Sequence, residues 1–113
     1  MTTHSFYSEL IYNDKRVATK VILETPVSKE IRILMKQGQA MPQHKAPFPI
    51  IVQLLEGSIE FGVEGVIYLL QKGDILSLEA NVPHDLLAHE DSMIRLSLSK
   101  QDSIQRVESV TQS

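Results

Sequence analysis

Segments in which apolar and polar residues alternate run through the first hundred residues, separated by turn-forming residues. Between positions 30 and 36, the side chains of Ile31, Ile33 and Met35 fall on one face. Arg32 and Lys36 fall on the other face. A period of two is the pattern of a β-strand with one buried face. Along the whole chain this pattern predicts eight strands, at residues 16–24, 30–36, 50–56, 58–63, 66–70, 75–78, 86–89 and 93–98.

Turn signals separate the predicted strands. The dipeptide Glu64-Gly65 is typical of a tight hairpin turn, in which the central residues take a positive φ. No segment before residue 100 shows a sustained helical period with capping residues. Many short strands at turn-rich intervals predict an all-β barrel or sandwich. We place this single domain at residues 1–100, followed by a polar tail at residues 101–113 that is either disordered or a short helix.

Two of the predicted strands are apolar on both faces. Residues 50–55 have Gln53 as their one polar member, and residues 66–70 are similarly apolar. A sheet in a monomer usually has one face in water, so Ile51 and Leu55 on the outer face need cover. A second copy of the chain, packed through a symmetric interface, would supply that cover. The alternative cover is the N-terminal strand, and of the two we expect the homodimer.

Composition narrows the function classes. The chain has no cysteine, which excludes disulfides, thiolate zinc sites and cysteine nucleophiles. Its longest apolar run is too short to span a bilayer, and the first residues lack the pattern of a signal peptide, so we expect a cytoplasmic location. The net charge is -3, and Lys15-Arg16 is the one adjacent basic pair. No nucleic-acid partner is therefore expected, although folding could still bring separate cations together.

Five residues have a characteristic spacing along the chain, namely Gly38, His44, Gly57, Gly73 and His84. Five residues separate Gly38 from His44, and fifteen separate Gly57 from Gly73. With the segments Leu-Glu-Gly and Val-Pro-His around them, residues 30–99 resemble the two-motif signature of small single-domain cupins of the conserved-barrel type. The resemblance implies an antiparallel double-stranded β-helix, usually a homodimer, with its site inside the barrel mouth.

The resemblance also shows which metal-binding side chains are missing. Metal-binding cupins use three histidines and one glutamate, but Ala46 stands at the second histidine position and Ile50 at the glutamate position. Strand alternation points both side chains inward, and neither can bind a metal. A catalytic transition-metal site needs about three protein ligands, and the motif leaves two, His44 and His84. We therefore expect no metal and no other cofactor.

The first functional hypothesis is a metal-free binding or regulatory module. Its pocket would hold a small organic molecule, either sugar-like or an organic anion, with apolar walls from Ile50, Val52 and Leu86. His44 and His84 would supply the polar contacts that orient the ligand. No residue is assigned a catalytic role.

Two other classes of function stay open. The chain could be an enzyme, either metal-dependent with His44, His84 and an unidentified third ligand, or metal-free with a pocket histidine as base. The second version needs an inward acid, for which Glu56 is the one candidate. A purely structural dimer that binds a macromolecule through its surface is the third class.

Overall fold

The computed structural model of the protein describes residues 1–100, which form nine strands and no helix. The strands are β1 (Ala18–Glu24), β2 (Ser28–Met35), β3 (Ala40–His44), β4 (Ile50–Glu56), β5 (Ser58–Val63), β6 (Val66–Gln71), β7 (Ile75–Leu78), β8 (His84–Ala88) and β9 (Ser92–Ser99). They pair into a five-stranded sheet in the order β1-β2-β9-β4-β7 and a four-stranded sheet in the order β3-β8-β5-β6. Every strand pair is antiparallel.

The eight strands predicted from alternation are all present, whereas β3 was not predicted. Its sequence, Ala-Met-Pro-Gln-His, has no alternation, and Pro42 has no amide hydrogen for a ladder. The pairing of β3 with β8 shifts register between Met41 and His44, which marks a bulge. The tail predicted at residues 101–113 lies outside the described residues.

The turns behave as their residues predict. Glu64 and Gly65 have φ values of 51° and 79°, so both central residues of the β5–β6 hairpin are left-handed. Asn81, in the loop before β8, has a φ of 66°. Asparagine tolerates this conformation better than most residues, and the Asn81 amide donates to the Ala46 carbonyl oxygen at 2.7 Å.

The core lies between the two sheets. Its members are the inward-facing apolar side chains of both sheets, namely Ile33, Met35, Ile50, Val52, Leu54, Ile59, Phe61, Leu70, Leu86, Ala88 and Ile94. Side chains in β8 alternate between buried and exposed, so His84 and Leu86 face the core whereas Asp85 faces outward. This alternation places His84, the histidine of the second motif, inside the barrel.

The N-terminal segment covers part of the outer face of β2. Arg32 lies on that outer face, as alternation predicts, yet it is only 3% exposed. Its Nη1 donates to the carbonyl oxygens of Phe6 at 3.0 Å and Ser8 at 2.7 Å, and its Nη2 donates to that of Glu9 at 3.2 Å. One buried guanidinium therefore fixes the path of the chain that leads into β1.

Candidate functional site

The two histidines of the motifs lie side by side. His44 pairs directly with His84 across the β3–β8 ladder, and their ring centroids are 4.3 Å apart with the planes at 63°. Met41 and His44 are three residues apart, so without a bulge their side chains would point to opposite faces. The bulge of β3 gives both of them inward-facing partners, Leu86 and His84. The bulge therefore allows the ring pair to form.

The hydrogen bonds of the two rings define their tautomers. The Nδ1 of His44 is 2.8 Å from the Pro42 carbonyl oxygen, and the Nδ1 of His84 is 2.9 Å from that of Val82. A carbonyl oxygen only accepts, so each Nδ1 carries a proton and donates it. In the neutral rings both Nε2 atoms then have a free lone pair. The pair offers two hydrogen-bond acceptors to any molecule that reaches it.

The environments of the two rings differ. His44 is exposed, whereas His84 is 4% exposed and stacks on Phe61 with ring centroids 5.4 Å apart. Burial lowers the pKa of His84 below its ordinary value of 6.5, and repulsion from His44 acts in the same direction. The bond to the Val82 carbonyl oxygen and the charge of Asp85 oppose this shift only in part. His84 is therefore a neutral imidazole at pH 7.

The lowered pKa of His84 makes stability depend on pH. As the pH falls below 6.5, the unfolded chain binds a proton at this position before the native state does. The stabilisation is complete above pH 6.5 and is lost as the pH falls through the native pKa. Urea unfolding at pH 7.5 and pH 5 should show that the free energy of unfolding falls with pH, and that it falls less in His84→Gln than in the native protein. The control is His4→Gln, at an exposed position, which should leave this pH-dependent fall unchanged. If both variants reduced the fall equally, the assignment to His84 would be contradicted.

The apolar residues predicted to line the pocket are distributed over both sheets. Leu86 lies on β8 beside His84 and pairs with Met41 and Phe61 on the neighbouring strands. Ile50 and Val52 lie on β4 in the opposite sheet, each 3% exposed and packed in the core. All three side chains therefore lie inside the barrel, and their contact with a ligand stays a prediction.

The residues present do not fit a transition-metal site. Ala46 packs against the core and Ile50 is buried in it, so neither motif position supplies a donor atom. His89 pairs with Glu60, and Asp85 is exposed on the face opposite to His84. Within residues 1–100, no three histidine, cysteine or acidic residues come together as metal ligands. The donor set here is two imidazoles, fewer than such a metal requires.

The acid suggested for metal-free catalysis lies away from the histidine pair. Glu56 precedes β5, whereas His84 pairs with Val63 at the far end of that strand. The Glu56 carboxylate accepts a hydrogen bond from the Tyr7 hydroxyl at 3.1 Å and lies 3.2 Å from the Lys72 Nζ. Glu56 therefore holds the N-terminal segment in place and is not positioned to act with either imidazole.

A cleft of about 600 Å³ opens beside His44, between β3 and residues 15–17. Lys15 and Arg16 line it, together with Val17 and Met41. Sequence reasoning noted Lys15-Arg16 as a basic pair and did not connect it with the site. The pair precedes β1 by two residues, and nothing in its spacing to His44 indicates that the fold brings them together.

The described part of the chain contains no helix that is long and apolar enough to cross a membrane. The cytoplasmic location expected from the sequence stays a prediction.

Comparison with protein families gives one match. The family of AraC-like ligand binding domains matches residues 28–106, a range that contains both histidines and the strands from β2 onward. No curated protein matches the chain in sequence.

Several solved structures share the fold. An RmlC-like cupin protein from Desulfovibrio desulfuricans is 22% identical, with a TM-score of 0.80 over 88% of this chain and 96% of that one. KdgF from Halomonas sp. is 19% identical, with a TM-score of 0.74, and the match covers 92% of this chain and 99% of that one. A cupin 2 conserved barrel domain protein from Leptotrichia buccalis is 26% identical, with a TM-score of 0.71, and the match covers 80% of this chain and 44% of that protein. These likenesses confirm the fold class predicted from the sequence.

Proposed function

The chain belongs to the family of AraC-like ligand-binding domains, and on that premise we propose that it is a binding or regulatory module for a small organic molecule. The proposed ligand is sugar-like or an organic anion, bound without a metal at the histidine pair of the cupin barrel. The observation that carries this proposal is the pair itself. The ring centroids of the two imidazoles lie 4.3 Å apart, and the Nδ1 of each ring is hydrogen-bonded to a carbonyl oxygen.

This arrangement suits recognition of hydroxyl groups. With both Nδ1–H groups hydrogen-bonded to the main chain, each neutral ring has an Nε2 that accepts a hydrogen bond from a ligand hydroxyl or amine. The rings are held by backbone carbonyl oxygens and, for His84, by stacking on Phe61. A few fixed polar groups in an apolar surround are what orients a ligand in most small-molecule sites.

Catalysis has less support than binding. A metal-dependent reaction would need a third ligand, and residues 1–100 bring none to the pair. Metal-free acid and base chemistry would need an acid beside the pair, whereas Glu56 contacts Tyr7 and Lys72. A pair of histidine acceptors with neither a third metal ligand from residues 1–100 nor Glu56 beside it supports recognition better than it supports proton transfer.

The proposal is tested by thermal unfolding of EDTA-treated protein with added sugars and hydroxy acids. A ligand that binds only the native state raises Tm, by an amount that grows with its concentration. We expect at least one probe to raise Tm, and we expect His84→Gln to abolish that rise. His4→Gln is the matched control and should keep it. A rise that requires an added metal ion, or one unchanged in His84→Gln, would contradict the proposal.

We also propose that the module is a homodimer, because its outer faces carry exposed apolar side chains. Ile51 and Ile75 lie on the outer face of the five-stranded sheet, and Ile75 is 58% exposed. Nothing within residues 1–100 covers them, and a second copy of the same face would do so.

Substituting Ile75→Lys should convert the dimer to a monomer, because it places a charge in the proposed interface. Sedimentation velocity measures the change. Ile67→Lys, on the outer face of the four-stranded sheet, is the matched control and should leave the dimer intact. A native protein that sediments as a monomer would rule out the homodimer, and a monomer from Ile67→Lys alone would place the interface on the other sheet.

A further inference from the structure

The cleft beside His44 has an apolar floor and a basic rim. Val17 and Met41 line it, and both also pack against the core. Lys15 and Arg16 line the same cleft, whose volume is about 600 Å³. A cleft of that size is in the range of sites for small molecules. The cleft is therefore continuous with the histidine pair through His44 and is positively charged.

Among residues 1–100, the cations of this cleft have no protein partner, in contrast to most of the others. Within the described residues, salt bridges or carbonyl contacts engage six cationic side chains, namely Lys20, Arg32, Lys36, Lys72, Arg95 and Lys100. The side chains of Lys15 and Arg16 make no hydrogen bond or salt bridge with any of residues 1–100, and the same holds for Lys45, which follows His44. Their charge is therefore available to a ligand.

The main chain of the basic pair is held in place. The Asn13 Oδ1 accepts hydrogen bonds from the amides of Lys15 at 2.8 Å and Arg16 at 3.2 Å. The Gln39 Nε2 donates to the Asn13 carbonyl oxygen at 2.8 Å, which ties this turn to the start of β3. Lys36 also pairs with Asp14 at 2.7 Å. The turn therefore presents its two cations at the cleft before any ligand arrives, which lowers the entropy cost of binding.

We infer that this cleft is the anion subsite of the ligand site, and that the natural ligand is a small organic anion. Its carboxylate or phosphate group would bind Arg16 and Lys15, and a hydroxyl group would donate to the His44 Nε2. Arginine binds both kinds of oxyanion through paired hydrogen bonds. The larger hollow on the outer face of the four-stranded sheet is also lined by His84 and Leu86. It carries three carboxylates as well, from Glu60, Glu64 and Asp85, and these would repel the same ligand.

This inference rests on the proposed function, and its test uses three probes with related carbon skeletons. EDTA-treated full-length protein is titrated with D-glucose, D-gluconate and D-glucose 6-phosphate, and the NMR signals of the histidine rings report binding. We expect at least one of the two anions to bind about tenfold more tightly than glucose, because charge-assisted hydrogen bonds to Arg16 and Lys15 add to the contacts at His44. Its affinity should fall as salt is added. A preference between the two anions identifies the carboxylate or the phosphate as the natural group.

Charge-neutralising variants locate the subsite. Arg16→Gln and Lys15→Gln should each weaken binding of the preferred anion by about threefold, which together accounts for the tenfold advantage, and leave glucose unaffected. Lys29→Gln removes a cation outside the cleft, one that lies opposite Glu24 in the β1–β2 ladder, and should change neither the affinity for the anion nor that for glucose. Glucose binding as tightly as both anions would overturn the inference and leave the proposed function standing, as would anion affinity unchanged in Arg16→Gln. If none of the three probes moves the histidine signals, both the inference and the proposed hydroxyl recognition at the pair are wrong.

Discussion

Replacing Gly57 by alanine is expected to lower the free energy of unfolding by about 2 to 6 kcal/mol. Two costs combine at this position. Gly57 has a φ of 96°, a left-handed conformation that costs a non-glycine residue about 1 to 3 kcal/mol. An added Cβ would also lie 2.6 Å from the Asp91 carbonyl oxygen and 2.7 Å from the Ser92 Cα, and overpacking of this kind costs about 1 to 3 kcal/mol.

The neighbours of Gly57 cannot easily move aside. Ser92 is fully buried, and its hydroxyl donates to the Glu90 carbonyl oxygen at 2.8 Å while accepting from the Ser58 amide at 3.1 Å. The close approach is therefore to fixed backbone.

Gly38→Ala is the matched control for Gly57→Ala. Gly38 has a similar φ of 88°, but an added Cβ there meets nothing within 4 Å. Urea unfolding should show that Gly38→Ala loses about 1 to 3 kcal/mol less than Gly57→Ala, since only the backbone cost applies. Equal losses in the two variants would contradict the close packing of the β4–β5 turn against β9.

Introducing the two missing ligands should make the stability of the protein depend on a bound metal ion. In Ala46→His/Ile50→Glu, the donor set of the metal-binding cupins is completed around His44 and His84. Ile50 is buried, so a glutamate there without a metal is expected to cost about 3 to 5 kcal/mol, the range for an uncompensated buried charge. A bound divalent ion neutralises that charge, and at a hundred times its Kd it returns about 2.7 kcal/mol.

Thermal unfolding with and without Mn²⁺ or Zn²⁺ measures this effect. The double variant should melt well below the native protein in EDTA and recover much of the difference with metal. Ile50→Glu alone is the control, because it has the buried charge with one fewer imidazole, and it should recover much less. If metal did not change the Tm of the double variant, Ala46 and Ile50 would not face the histidine pair.

The sequence predicted most of the strands because burial on one face leaves a period of two. It missed β3, where Pro42 and the bulge remove that period. The same bulge lets His44 face His84, so the two histidines selected by motif spacing have rings in contact, which alternation could not show. Their role in binding a ligand stays a prediction.

Contacts between segments distant in the chain were beyond sequence reasoning. Arg32 has the position of an exposed residue, and only the path of residues 6–9 makes it a buried anchor. Lys15 and Arg16 resemble any solvated basic pair, and only the Asn13 turn brings them to the cleft. Neither segment has a periodic pattern, so no local signal predicted where it would lie.

The metal content of the native protein tests the central claim most directly. The protein is purified without an affinity tag, dialysed separately against Fe²⁺, Mn²⁺, Ni²⁺ and Zn²⁺, and its bound metal per chain is measured. Since two imidazoles are too few ligands for a stable site, we predict far less than one ion per chain for every metal. Close to one ion per chain, lost in both His44→Ala and His84→Ala, would contradict a metal-free ligand site.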